Sequence, residues 1–145
     1  MLRLFAVKAG TPLTVRRFET LFLGSIVVGF LVAILMYHEV VKAWGGHYRA
    51  ILVTVVLFGG AWLLLILTSR LRSNLARWLL VIGSIVAIVP YLAHVTLLLN
   101  EEAAGYLSFL QAALQFAAIG YLFTRPSREW FAGRPVAPED VVEIE

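Results

Sequence analysis

Cysteine is absent from the 145 residues. That excludes a disulfide, a thiolate-held metal and thiol redox chemistry, and with them the four-helix membrane enzymes that pass electrons from cysteine pairs to quinones. Charge is scarce: 14% of the residues are Asp, Glu, Lys or Arg, against about 25% in a soluble domain. Missing too are a nucleophile–base arrangement, a phosphate loop, a metal signature and paired carboxylates within any apolar run. Each of these would have pointed to an enzyme or an ion-coupled carrier.

What is present in excess is apolar surface. Apolar residues make up 61% of the chain, and the mean hydropathy is +0.87. One small core cannot hide that much apolar area, so the remainder faces lipid. Four runs carry it: Phe18 to Tyr37, Ala50 to Thr68, Trp78 to Leu99 and Ala103 to Phe123, each of 19 to 22 residues. A helix rising 1.5 Å per residue needs about 20 residues to cross ~30 Å of hydrocarbon. In lipid the backbone must satisfy its own polar groups, and the alternation of barrel strands is missing, so the runs read as helices.

The connections are short, which makes consecutive helices antiparallel neighbours. The expected fold is all-α, an integral membrane four-helix bundle running up-down-up-down. In domain terms, 1–17 is a cytoplasmic or interfacial segment and 18–123 the transmembrane domain, with spans at about 18–37, 50–68, 78–99 and 103–123. A short interfacial helix is expected within 124–135, where Pro126 lies near its start and Gly133 and Pro135 stop it. The acidic stretch 136–145 has no helical stripe and is expected to be unstructured alone.

Charge placement gives an orientation. Arg3, Lys8, Arg16, Arg17, Arg70, Arg72, Arg77, Arg125, Arg128 and Arg134 fall on one side, and only Lys42 and Arg49 on the other. By the positive-inside rule both termini are cytoplasmic. The formal charge of +3 is thus a set of helix-end anchors and not a nucleic-acid footprint. Arg16 and Arg17 anchor the first span, while Trp44 on the outer side and Trp78 and Trp130 on the inner side fit the aromatic belts. Arg16 and Arg17 also precede a run too long for a secretory signal, with no small-x-small cleavage site after it.

Three stretches carry a resemblance. They are Arg17-Phe-Glu-Thr-Leu-Phe-Leu-Gly-Ser25 at the start of the first span, Ser73-Asn-Leu-Ala-Arg-Trp78 before the third, and Tyr121-Leu-Phe-Thr-Arg-Pro-Ser-Arg-Glu-Trp-Phe131 after the fourth. With this layout the chain resembles a group of small, uncharacterised four-helix inner-membrane proteins of bacteria. The resemblance implies the fold and a bacterial inner membrane, and it implies no activity.

Polar groups within lipid are costly and so are candidates for function. Tyr91 and His94 on the third span, and Gln111 and Gln115 on the fourth, form the sharpest set. Gln111 is expected at a depth comparable to His94, and with Gln115 one turn on it shares a helix face. The set is either a proton- or quinone-binding patch or interhelical glue around a kink at Pro90. Glu19, with Arg16 three residues before it, is expected to pair with that anchor. His38, Glu39, His47, Glu101 and Glu102 gather on the outer side without a metal-ligand spacing. No cofactor is called for.

Small residues recur at four-residue intervals: Ser25, Gly29 and Ala33 on the first span, Gly83 and Ala87 on the third, Ala113 and Ala117 on the fourth. Such ladders let helices approach closely, within the bundle or against another chain. The favoured function is a non-enzymatic accessory, assembly or stabilising subunit that packs against other membrane proteins. The alternative is a small homo-oligomeric transporter or channel using His94, Gln111 and Gln115. Third comes a membrane enzyme binding quinone or lipid.

Overall fold

The computed structural model describes residues 11–93, 102–137 and 140–141. Side chains are described over the same stretches except 88–93 and 102. Its described residues form six helices and no strand. They are α1 (Leu13–Leu35), α2 (Tyr37–Trp44), α3 (His47–Arg70), α4 (Asn74–Ala93), α5 (Glu102–Leu122) and α6 (Arg125–Phe131). Three of them, α1, α3 and the stretch Ala103–Leu122 of α5, are long and apolar enough to cross a membrane. The apolar part of α4, followed over Asn74–Ala87, is shorter than a span within the described residues.

The helices begin and end for local reasons. Pro12 precedes α1 in an extended conformation, and its fixed φ suits a helix start. The first helix therefore starts five residues earlier than Phe18 and carries Arg16 and Arg17 on its own first turns. Beyond Met36 the expected outer link 38–49 is itself mostly helical. It forms α2, braced by an ion pair of 2.6 Å between Lys42 and Glu39. Gly45, at φ +69, and Gly46 end it, their amides closing back on Lys42 and Val41. Only glycine takes these left-handed positions without strain. At the start of α4 the Ser73 hydroxyl accepts the amide of Ala76 at 3.2 Å, an N-cap.

The buried positions of α1 are Val15, Phe18, Phe22, Ser25, Ile26, Gly29 and Val32, a spacing of three or four that defines one face. The opposite face is apolar as well, with Val27, Phe30, Leu31 and Ile34 exposed. On α3 the pattern is the same, Val55, Val56, Leu57 and Leu63 lying outward. Helices apolar all round are those of membrane spans or of large protein interiors. The core draws on four helices: Phe18, Phe22 and Ile26 of α1, Leu65 of α3, Leu80 of α4, and Ala118 and Leu122 of α5.

The most intimate pair is the first and the last of the long helices, α1 with α5. Gly24 lies against Leu114 and Gly29 against Gln111, so the two run antiparallel. Below them Thr14 and Ser127 share a hydrogen bond of 2.8 Å. Val141 also returns to this place. It forms an isolated antiparallel bridge with Pro12, within a stretch expected from composition to be unstructured alone. Backbone pairing with the start of α1 supplies what the tail's own composition does not.

Candidate functional site

The glutamines of α5 do not act together. Gln115 donates from Nε2 to the Ser84 hydroxyl of α4 at 2.7 Å, and that hydroxyl donates in turn to the Leu80 carbonyl at 2.7 Å. Gln111 turns instead toward α1, where its amide lies flat on Gly29. Its Oε1 is buried and accepts no hydrogen bond. His94 lies outside the described residues, as does the Tyr91 side chain. What the structure brings together is Gln115 with Ser84 and Gln111 with Gly29. Ser84 lies one residue beyond Gly83 in the sequence, and its exposed neighbour drew attention away from it.

The small residues divide between inside and outside. Ser25 and Gly29 are buried on the face of α1, and Ala33 is half-buried. Gly83 and Ala87 on α4 are exposed, as are Ala113 and Ala117 on α5. Apart from its own helix backbone and chain neighbours, no atom of the described residues lies within 4 Å of a Cβ built on Gly83. The buried small residues of α5 are Ala104, Gly105, Ser108 and Ala118. Of these, Ala104 and Ser108 form a four-residue ladder that sequence reading passed over in favour of Ala113 and Ala117. Ser108 closes its hydroxyl on the Ala104 carbonyl at 2.7 Å and Ser25 on that of Phe22 at 2.7 Å, so neither leaves a polar group bare in lipid.

Toward the α2 end, Tyr37 Oη and His47 Nδ1 share a hydrogen bond of 2.9 Å. No group of three or more His, Cys, Asp or Glu that could hold a metal occurs among the described residues.

The richest arrangement lies at the opposite end, where α6 folds under the other helices. Thr124 Oγ1 donates to the Tyr121 carbonyl at 2.8 Å and lies 3.1 Å from the Ser127 hydroxyl. Ser127 donates to the same carbonyl at 2.7 Å. These bonds hold α6 against the end of α5, and Thr14 adds the start of α1. Trp130 is thereby 2% exposed. It packs within the chain, because α6 turns it under the ends of the long helices. Trp44 and Trp78 remain half exposed.

Arginines ring this end. Arg17 lies 5.9 Å over the Tyr121 ring and Arg72 4.6 Å over that of Trp130. Arg72 holds a left-handed φ of 52°, a conformation that costs a non-glycine residue energy. Glu19 pairs at 3.2 Å with Arg70 of α3, so the partner of this acid is across the helix interface and not on its own helix. Arg125 is bound to Glu129 at 2.9 Å, and this hydrogen bond and charge raise the Arg125 pKa. Arg16 is exposed.

Arg77, just before the apolar stretch that begins at Trp78, differs from all of these. It is 9% exposed, and its guanidinium faces the rings of Phe131 at 5.0 Å, Phe123 at 5.4 Å and Trp78 at 5.8 Å. Its Nε is buried without an acceptor, as is Nε1 of Trp130. Burial, and then the like charge of Arg128, lower its pKa. Nothing in its one-residue context marked Arg77 as different from the other helix-end arginines.

The described residues are all helical, and three helices long and apolar enough to cross a membrane are those of a membrane-embedded protein by length and composition. Comparison of the chain with protein-family models, with characterised proteins and with solved structures finds no match to any of them.

Proposed function

We propose that this chain is a four-span protein of a bacterial inner membrane, an up-down-up-down bundle with both termini cytoplasmic. On this reading the apolar run from Trp78 to Leu99 is the fourth crossing. The function is non-enzymatic: the chain is an accessory subunit that packs against the helices of other membrane proteins. The observation that carries the proposal is the open face formed by Gly83 and Ala87 on α4. Helices gain nothing from hydrophobicity when they leave lipid for one another, so association depends on close packing, and small residues allow it. A small-residue ladder facing outward has that use. The inward pair, Ser25 and Gly29, is occupied within the chain.

The test is purification in a mild detergent with mass spectrometry of the accompanying chains. Gly83→Leu should release the partner while leaving thermal stability unchanged, since among the described residues no other part of the chain lies within 4 Å of a Cβ there. A wild-type protein that purifies alone and carries a solute when reconstituted alone would replace this reading with that of a homo-oligomeric transporter.

A further inference from the structure

We infer that the Arg77 cluster at the α6 end binds a phosphate group, supplied in the membrane by the headgroup of an anionic phospholipid. The starting point is a charge without a counter-charge. A guanidinium cannot shed its proton in a protein, and a buried charge is ordinarily paired. Arg77 is 9% exposed with Nε unbonded, and the charged group that most affects it is another cation, Arg128. The described carboxylates are committed elsewhere. Glu19 is with Arg70, Glu39 with Lys42, and Glu129 with Arg125, and Asp140 acts on Arg125.

Two further features say what kind of group is missing. The unbonded atoms Arg77 Nε and Trp130 Nε1 are both donors only, so their complement is an acceptor. Trp130 and Phe131 stand edge to face with centroids 5.0 Å apart, and Arg72 lies on the first ring while Arg77 lies on the second. Two guanidiniums are thus held against adjoining rings, with exposed Arg128 near the buried one. Planar guanidinium forks match the oxygens of phosphate. The position suits a headgroup, because Arg77 directly precedes the half-exposed Trp78, and aromatic belts mark the level of lipid headgroups. The inference needs the chain to sit in a membrane, and it does not depend on the accessory role.

Full-length protein in detergent would be titrated by native mass spectrometry with dioleoylphosphatidylglycerol and, separately, dioleoylphosphatidylcholine. Wild type should prefer the anionic lipid. Arg77→Met should weaken that binding by about 10- to 100-fold, the loss of one hydrogen bond to a charged group. Arg128→Gln, on an exposed position, should weaken it without touching the core.

Thermal stability of the isolated chain in nanodiscs supplies the second readout. In pure phosphatidylcholine Arg77→Met should be at least as stable as wild type, because the choline cation there offsets the lipid phosphate and leaves it a poor counter-ion for a buried guanidinium. With phosphatidylglycerol present the order should reverse. Equal destabilisation by Arg77→Met in both lipids would show a cation held by its rings alone, and the inference would fail. It would fail also if deletion of 138–145 reproduced the Arg77→Met behaviour, since the tail's carboxylates would then be the counter-ion. Inorganic phosphate that stabilises wild type but not Arg77→Met would uphold the chemistry and make free phosphate the source. Should Arg77→Met not insert, unchanged phosphatidylglycerol binding by both Arg128→Gln and Arg77→Lys would overturn the proposal.

Discussion

The amide of Gln111 occupies the space that a side chain at position 29 would need: a Cβ built on Gly29 falls 2.5 Å from Nε2 and 2.8 Å from Cδ. Gly29 is therefore the point where α1 and α5 approach through a side chain laid on bare backbone. Gly29→Ala should push the Gln111 amide aside at a small cost, since the atoms it meets are the end of a flexible side chain. In a Gln111→Ala background the obstacle is gone. The same substitution should then be neutral or stabilise by about 0.5–1 kcal/mol, the helix preference of Ala over Gly. Equal losses in both backgrounds, measured by thermal or denaturant unfolding, would mean that Gln111 is not what confines position 29.

Gln111 alone makes a second prediction. Its Oε1 is buried without a donor, and an unsatisfied polar atom is itself destabilising by about 1–3 kcal/mol. Gln111→Met keeps the length and removes that atom, so stability should hold or rise. A transporter built on Gln111 would lose activity with this substitution while staying folded. A subunit that works by packing would keep its partner, and co-purification yield reads the difference.

Sequence and structure agree best where one physical constraint dominates. The long helices α1, α3 and α5 are legible because apolar runs of this length match helices able to cross a membrane, whatever the local propensity. Glycine punctuation at Gly45 and Gly46 was there to be seen, but α2 between the spans was read as a link, since eight residues give too short a pattern to separate from a loop. Partners across helices were hidden. Glu19 has arginines three and two residues away, yet it meets Arg70, because helix rotation about the bundle is set by packing and not by spacing. Gln115 meets Ser84 for the same reason. Trp130 read as a membrane anchor by its charged neighbours, and only the fold of α6 under α5, fixed by the Thr124 and Ser127 hydroxyls, reveals it as buried.

The pair Glu19–Arg70 joins α1 to α3 with side chains 18% and 21% exposed. Its worth should lie between the ~0–1 kcal/mol of an exposed ion pair and the ~3–5 kcal/mol lost on breaking a buried one. Glu19→Gln should lower thermal stability within that interval. A double-mutant cycle with Arg70→Gln should show losses smaller than additive. If Glu19 coupled ion movement instead, Glu19→Gln would abolish transport in a protein of unchanged stability.

Topology is the prediction with the widest reach, since every functional reading depends on which end faces the cytoplasm. The α6 end gathers Arg16, Arg17, Arg70, Arg72, Arg77, Arg125 and Arg128. The α2 end has Lys42, already bound to Glu39, and Arg49. Basic residues near span ends are retained in the cytoplasm, so alkaline phosphatase, active only outside it, should be inactive when fused after Glu145 and active at Gly45. A fusion after Asn100 discriminates the number of crossings. If α4 and the run beyond it span the membrane, that fusion is active and the two termini share a side. If only α1, α3 and α5 cross, the Asn100 fusion stays inactive and the Glu145 fusion becomes active. That second pattern would place the Arg72, Arg77 and Trp130 cluster away from a single cytoplasmic face, and the four-span reading would have to be given up.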